Sequence, residues 1–406
     1  MEIKYYEFLN GVRTDPDNEH ILYFDINMID IPLPEGECEN FIEYFNPALE
    51  KYLEHYKNFS QIQIIYNHPF ECNMMLINGL WWYEEAHKQL NRYNIPINKA
   101  TYCTGNYKVF QNYNKWHTKN CPEQPKMNLK VIMQMLWCYA PNVFNDGREQ
   151  FDFNYCDIDA DRPLGYAYNS LNRVARRHRM ETYKQLFDRN LLQEGLCSFN
   201  EVRSAGIKGE LTQKHLDNLP VILDKPEGRT AQEWIYNSIN AHQYHPEVTE
   251  HNNFYAPILE NSLFSLVTET SFGIPDIGTD IIGKENWIEY FDEGFITEKT
   301  FRTLANGHPC VWVGAPGLTK VLQRIGFKTF NEYWDESYDK ITDPMDRMNA
   351  VIDLVEQLCK LSQSERKELY ENMKPVLKHN QELILNMQEL PSLDWTDYHE
   401  YLKYNL

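Results

Sequence analysis

The chain has 406 residues, 42% hydrophobic and 14% aromatic, which is long for a single core and leads us to expect two domains. A formal net charge of −20 excludes a protein built for non-specific contact with nucleic acid or an anionic membrane, since both need a basic face, though it leaves room for a local basic groove. Nine scattered cysteines with no C-x-x-C pair fit reduced thiols in a cytosol-like compartment and offer no clustered zinc ligands.

The start, Met1-Glu-Ile-Lys-Tyr-Tyr-Glu7, lacks the basic and apolar regions of a signal peptide. No later run reaches membrane-spanning length, so a cytoplasmic protein without membrane insertion is expected. Ile21-Leu-Tyr-Phe-Asp-Ile26 predicts a strand, and residues 41–56 have helical spacing. Gln61-Ile-Gln-Ile-Ile-Tyr66 predicts a second strand, followed by the loop Asn67-His-Pro-Phe-Glu-Cys-Asn73. A helix over 78–93, a turn at Asn94-Ile-Pro96 and a strand over Lys99-Ala-Thr-Tyr-Cys-Thr104 make a strand–helix–strand unit, hence a parallel pair with a right-handed crossover. Leu129-Lys-Val-Ile-Met-Gln-Met135 predicts another strand.

Residues 144–162 turn polar and acidic and read as a solvated linker between domains. Asp157, Asp159 and Asp161 alternate there, but a calcium loop would also need a central Gly and a closing Glu. The second half restarts with a strand at Leu164-Gly-Tyr-Ala-Tyr168, a basic stretch, a helix over 180–189 and a strand at Gly195-Leu-Cys-Ser198. Ser262-Leu-Phe-Ser-Leu-Val267 is the next strand; residues 272–292 are Gly-rich and irregular. Then come a helix beginning at Thr297, a strand over 309–313, the turn Gly314-Ala-Pro-Gly317, a helix through Arg324 and a short strand at Gly326-Phe-Lys-Thr-Phe330. Residues 344–389 are helical with a break near Leu361-Ser362. The expectation is an α/β chain of two Rossmann-like domains facing across a cleft, 1–160 and 161–345, with a helical segment, 346–406, packing on either. Ligands of such sheets bind outside the carboxyl ends of strands.

Two segments there carry cations. Arg173, Arg176, Arg177 and Arg179, with His178 between, fall where a strand becomes a helix. Guanidinium groups suit phosphate oxygens, and an anionic ligand would relieve their mutual repulsion. In Phe295-Ile-Thr-Glu-Lys-Thr-Phe-Arg302, Thr297 is a good N-cap, and a helix start presents backbone N–H groups to an anion. Glu298 and Arg302 lie four apart and Lys299 and Arg302 three apart, so two cations and a carboxylate cluster near the first turn. A nucleoside diphosphate needs that combination; the plainer alternative is a surface Glu–Arg pair. The chain has no G-x-G-x-x-G, P-loop or G-x-S-x-G motif.

The order Tyr168-Asn-Ser-Leu-Asn-Arg-Val-Ala-Arg-Arg-His-Arg179, Ser265-Leu-Val-Thr-Glu269, Phe295-Ile-Thr-Glu-Lys299 and Pro309 to Gly317 resembles the donor domain of the family 10 glycosyltransferases, the α1,3-fucosyltransferase type. The resemblance covers about residues 164–330, and its specific part is the Thr-Glu-Lys element. It implies a GT-B-like enzyme that moves a sugar from a nucleotide-sugar donor, GDP- or UDP-linked, to an acceptor hydroxyl, with inversion and no essential cofactor or metal. By the resemblance, Arg177 or Arg179 and Lys299 hold the donor diphosphate; Arg173 and Arg302, from the two basic segments, are further donor-binding candidates. Glu298, after the Thr297 cap, meets the ribose, and Glu269 faces the sugar or orients the donor. The family's Glu-Asn-Ser appears here as Glu269-Thr-Ser271, a longer insertion precedes Phe295, and a clear helix follows Gly317. Donor sugar and base therefore stay open.

Inversion needs a base on the acceptor hydroxyl, expected from the first domain. Glu71 is favoured, then His68, with Asp25 a little earlier. The acceptor is a glycan, a protein, a small molecule or a modified nucleobase. A phosphate-sugar or nucleotide enzyme of another reaction type on a similar double fold, a viral glycosyltransferase of hydroxymethylated DNA bases acting in the host cytoplasm, and a non-catalytic nucleotide-sugar-binding protein are the other readings.

Overall fold

The computed structural model describes residues 12–14, 20–25, 46–55, 62–68, 82–133, 135–136, 139–140, 142–143, 155–172, 177–199, 258–272, 294–394 and 396–397. The chain divides into one unit of Met1–Gln134 with Pro391–Leu406 and a second of Met135–Leu390. The sequence reading put the change of domain after residue 160. In the structure the acidic stretch before it belongs to the second unit, and residues 346–406 are split between the two units.

The first unit is built on six strands: β1 (Val12–Thr14), β2 (Ile21–Asp25), β3 (Gln63–His68), β4 (Ala100–Thr104), β5 (Asn128–Ile132) and β10 (Ser392–Leu393), in the order β1-β2-β3-β4-β5-β10. Strands β2 to β5 are parallel; β1 and β10 add antiparallel at the two edges. Helices α1 (Asn46–His55), α2 (Trp82–Arg92) and α3 (Val109–Asn120) lie between successive parallel strands. Because those strands follow chain order, the described sheet has no point where strand order reverses.

The sequence reading did not foresee α3. Its buried positions Val109, Tyr113 and His117 recur every four residues, a helical period carried partly by polar side chains. Tyr52, Tyr66, Tyr83, Tyr102 and Tyr113 are all fully buried, so this core is aromatic with hydroxyls to satisfy. Tyr66 donates to Gln89 Oε1 at 2.7 Å, and Tyr113 Oη lies 2.8 Å from His87 Nε2 and accepts from Met127 N–H at 2.8 Å. Burial lowers the pKa of His87 to about 4, against an opposing bond to Gln124.

In the second unit β6 (Tyr166–Asn172), β7 (Gly195–Phe199), β8 (Ser262–Thr268) and β9 (Cys310–Val313) form a parallel sheet in the order β7-β6-β8-β9. Every residue of β8 is buried, as expected of a central parallel strand. From β6 the chain goes out to β7, returns past β6 to β8 and continues to β9. Strand order thus reverses between β6 and β8, which opens a crevice at their carboxyl ends.

Helix α4 (Arg177–Asp188) follows β6, and α5 (Glu298–Ala305) precedes β9. The end of α5 is sharply defined. Gly307 N–H bonds Leu304 O at 3.1 Å and His308 N–H bonds Thr303 O at 3.1 Å, the paired closure of a Schellman turn. Gly307 has φ +56°, and a Cβ there would fall 2.3 Å from the Ile158 side chain, so a side chain is excluded twice over. Helices α6 (Leu318–Arg324), α7 (Pro344–Cys359) and α8 (Gln363–Leu385) follow. Asp343 caps α7, and Ser362 with Glu365 forms a capping box on α8, the break foreseen in the sequence.

Two other expectations are corrected. Residues 326–330 form no strand: Asn380 bonds both N–H and C=O of Lys328, and Glu336 accepts Phe330 N–H, so side chains satisfy backbone groups that a ladder would otherwise use. The described part of the acidic stretch, residues 155–162, is no free linker. Ile158 is buried, Asp159 pairs with Lys378 at 2.7 Å, and Asp161 pairs with Lys367 at 3.1 Å on α8. Among the described residues no group of His, Cys, Asp or Glu is placed to hold a metal ion. Among them, too, no helix is long and apolar enough to cross a membrane.

Candidate functional site

The carboxyl ends of β6 and β8 are tied by the Thr268 hydroxyl, which donates to Asn172 Oδ1. Glu269 follows directly. It is fully buried, and its carboxylate accepts Thr297 N–H at 3.1 Å, the Thr297 hydroxyl at 2.5 Å and the Thr300 hydroxyl at 2.5 Å. Its main chain reaches the other way: Glu269 O accepts from His178 Nε2 at 2.7 Å. One residue therefore joins the first turn of α5, through its side chain, to the first turn of α4, through its carbonyl. The two cation-bearing helices are held in one frame.

Thr297 is the N-cap, its hydroxyl accepting from Lys299 N–H at 3.3 Å. The expectation that this helix start presents its N–H groups to an external anion is corrected in part, since Glu269 already supplies a carboxylate to Thr297 N–H. Helix α6 is the same: Asp339 accepts Leu318 N–H and Thr319 N–H, each at 3.1 Å, and the Thr319 hydroxyl at 2.7 Å. An anion at the starts of α5 and α6 must therefore rely mainly on side chains.

Those side chains are present. A narrow cleft, with room of about 30 Å³, runs along the β6–β8 seam beside α5. Asn169, Ser265 and Thr268 line it from the strands and Lys299, Arg302 and Thr303 from the helix. Lys299 Nζ lies 2.9 Å from Glu298 Oε1 and donates to the Thr297 hydroxyl at 3.1 Å. Burial pushes the Glu298 carboxyl up, but the charge and hydrogen bond of Lys299, with Arg302 beyond, outweigh it and bring it down to about 2. Burial also lowers the Lys299 ammonium; Glu298 opposes that shift, and the Arg179 guanidinium adds to it. Arg179 is buried, with Nη2 3.5 Å from Thr268 O, so a third cation stands behind the pair. Arg177, half-buried, opens α4.

The loops around the crevice are fixed from behind by Arg347, 2% exposed on α7. Its guanidinium donates to Gly314 O at 3.1 Å after β9, to Phe272 O after β8, and to Ile341 O at 2.7 Å, and it stacks on the Phe272 ring at 4.4 Å. Arg347 and Asp339 escaped the sequence reading. The missing side-chain cap at Gly317, before α6, was the one local hint that a distant carboxylate would serve there.

The structure thus brings Arg179, Glu269, Thr297, Glu298, Lys299 and Arg302 to one end of one sheet. Glu269 takes the role of orienting the helix, with no oxygen of its carboxylate left without a donor. Arg173 and Glu71 lie outside the described residues. Asp25 and His68 end the neighbouring strands β2 and β3 in the first unit, where Asp25 is in register with Asn67.

Fold and site define an α/β protein with parallel sheets and, in its second unit, a narrow cleft along the β6–β8 seam with Lys299 and Arg302 on its wall. No model of a protein family, no curated protein and no solved structure matches this chain.

Proposed function

We propose that the chain is a glycosyltransferase whose nucleotide-sugar donor binds in the second unit, its diphosphate among Lys299, Arg302 and Arg179. The observation that carries this reading is the gathering of those three cations, from two helices, at the reversal between β6 and β8. Fixed positive charge stabilises a diphosphate leaving group as the sugar departs. An ionised carboxylate beside it, Glu298, suits hydroxyl donors on the same ligand. The candidates for the acceptor base are Glu71, His68 and Asp25.

A thermal-shift panel of nucleotides and nucleotide sugars tests it, because a ligand that binds the native state raises the melting temperature by mass action. A GDP- or UDP-linked sugar is expected to give the largest shift, and Lys299→Ala to weaken its binding about tenfold or more. Equal shifts for parent and variant would remove this crevice as the donor site. Release of free nucleotide from the best-binding sugar nucleotide then separates a transferase from a protein that only binds.

A further inference from the structure

The first turn of α5 carries a cation and a carboxylate on adjacent residues, and they neutralise each other. Lys299 Nζ meets Glu298 Oε1 at 2.9 Å, and its other acceptor is the Thr297 hydroxyl at 3.1 Å. Glu298 is the sole carboxylate within ion-pair distance of Lys299 among the described residues, and Lys299 the sole such cation for Glu298. Both side chains remain reachable, at 18% and 24% exposure, and Lys299 stands on the cleft wall. The frame beneath them is rigid, because Glu269 anchors Thr297 and Thr300 on either side of the pair.

Resting on the nucleotide-sugar reading, we infer that this pair is an ion-pair exchanger: Lys299 leaves Glu298 for the ligand's diphosphate, and the released carboxylate accepts hydroxyls of the same ligand. A diphosphate carries more negative charge than a carboxylate, so Lys299 gains by the transfer. Glu298 keeps the more distant charge of Arg302 but loses its hydrogen-bonded partner, and a ligand that brings hydroxyl donors compensates that loss. A bare anion would leave the carboxylate exposed to repulsion. The exchange therefore selects ligands with both a diphosphate and neighbouring hydroxyls, and makes inorganic pyrophosphate or phosphate a poor occupant. In the empty site Glu298 acts as an internal competitor for Lys299.

The test is titration calorimetry of the full chain with inorganic pyrophosphate, GDP and UDP. If Lys299 is held by Glu298 most of the time, Glu298→Gln is expected to tighten pyrophosphate about tenfold, the factor by which an occupied partner reduces apparent affinity. The same substitution is expected to weaken the preferred nucleoside diphosphate several-fold, since a neutral amide is a poorer acceptor than a carboxylate. Glu298→Ala, which cannot re-engage Lys299 through an amide oxygen, should move pyrophosphate the same way. Opposite signs for the two ligand types support the exchange. Pyrophosphate binding that is unchanged or weaker in both variants would overturn it while leaving the donor site standing. A parent chain that binds neither nucleoside diphosphate would remove the nucleotide-sugar reading itself, and the exchange with it.

Discussion

Thr297 and Glu269 mark the limit of what one residue reveals about its own role. The cap at Thr297 is legible because capping is local: a Thr before a helical run bonds an amide within its own first turn. Its second partner is not legible, because Glu269 is 28 residues away and arrives only when β8 and α5 come together. The same distance explains why α5's first amide was expected to face an outside anion. Truncating Glu269 should therefore cost more than a surface acid would. Glu269→Ala leaves Thr297 N–H and two hydroxyls in a dry site, and a loss of about 3 kcal/mol is expected, at one to three per buried unsatisfied donor and allowing for rotation of the hydroxyls. Glu269→Gln should lose less, roughly 1–2 kcal/mol, since its amide oxygen still accepts one bond. Urea denaturation reads both, as a lower midpoint with an unchanged slope. A midpoint for Glu269→Ala equal to the parent's would mean that α5 is anchored by something else.

Elements were legible where their signals are local and hidden where a neighbour supplies the missing bonds. The break before α8 announced itself through Ser362 and Glu365, three residues apart. The apolar run at 326–330 looked like a strand, yet Asn380 of α8 and Glu336 take over its backbone groups. Residues 336–339 act as a clasp. Glu336 accepts Phe330 N–H at 2.9 Å, Asp339 caps α6, and Asp339 O accepts Gly317 N–H at 2.9 Å. Burial, with the charges of Asp339 and Asp335 adding to it, raises the Glu336 carboxyl from 4.5 to about 7, against the bonds from Thr329 and Phe330. A carboxyl raised on folding contributes stability that is fully present below its unfolded value, 4.5, and lost as pH rises through about 7. The whole effect is of the order of 3 kcal/mol. Glu336→Gln removes the titration. Urea midpoints of parent and variant should therefore diverge between pH 5 and 8, the variant gaining relative to the parent as pH rises. A constant gap across that range would show that Glu336 ionises without cost.

For the whole molecule, α/β composition and the existence of two sheets could be read from alternating strand and helix signals, but strand order could not. Order depends on which side each crossover takes, and no residue pattern states that. It matters here because the two sheets differ. Strands β2 to β5 follow chain order, whereas β6 and β8 flank a reversal that creates a crevice without help from any special motif. The absence of a glycine-rich fingerprint is consistent with this, since the cations come from α4 and α5 and not from a backbone nest. Ligand protection should then follow topology. Hydrogen exchange of the full chain with its best-binding sugar nucleotide is expected to slow most at 177–183, 265–272 and 294–305, the segments that meet at the reversal, because binding removes the local openings that let these amides exchange. Amides of β2 to β5 should slow less, as strand order does not reverse among the described strands of their sheet. Strong protection in that first sheet with none over 294–305 would place the donor in the other unit and overturn the assignment of Lys299, Arg302 and Arg179.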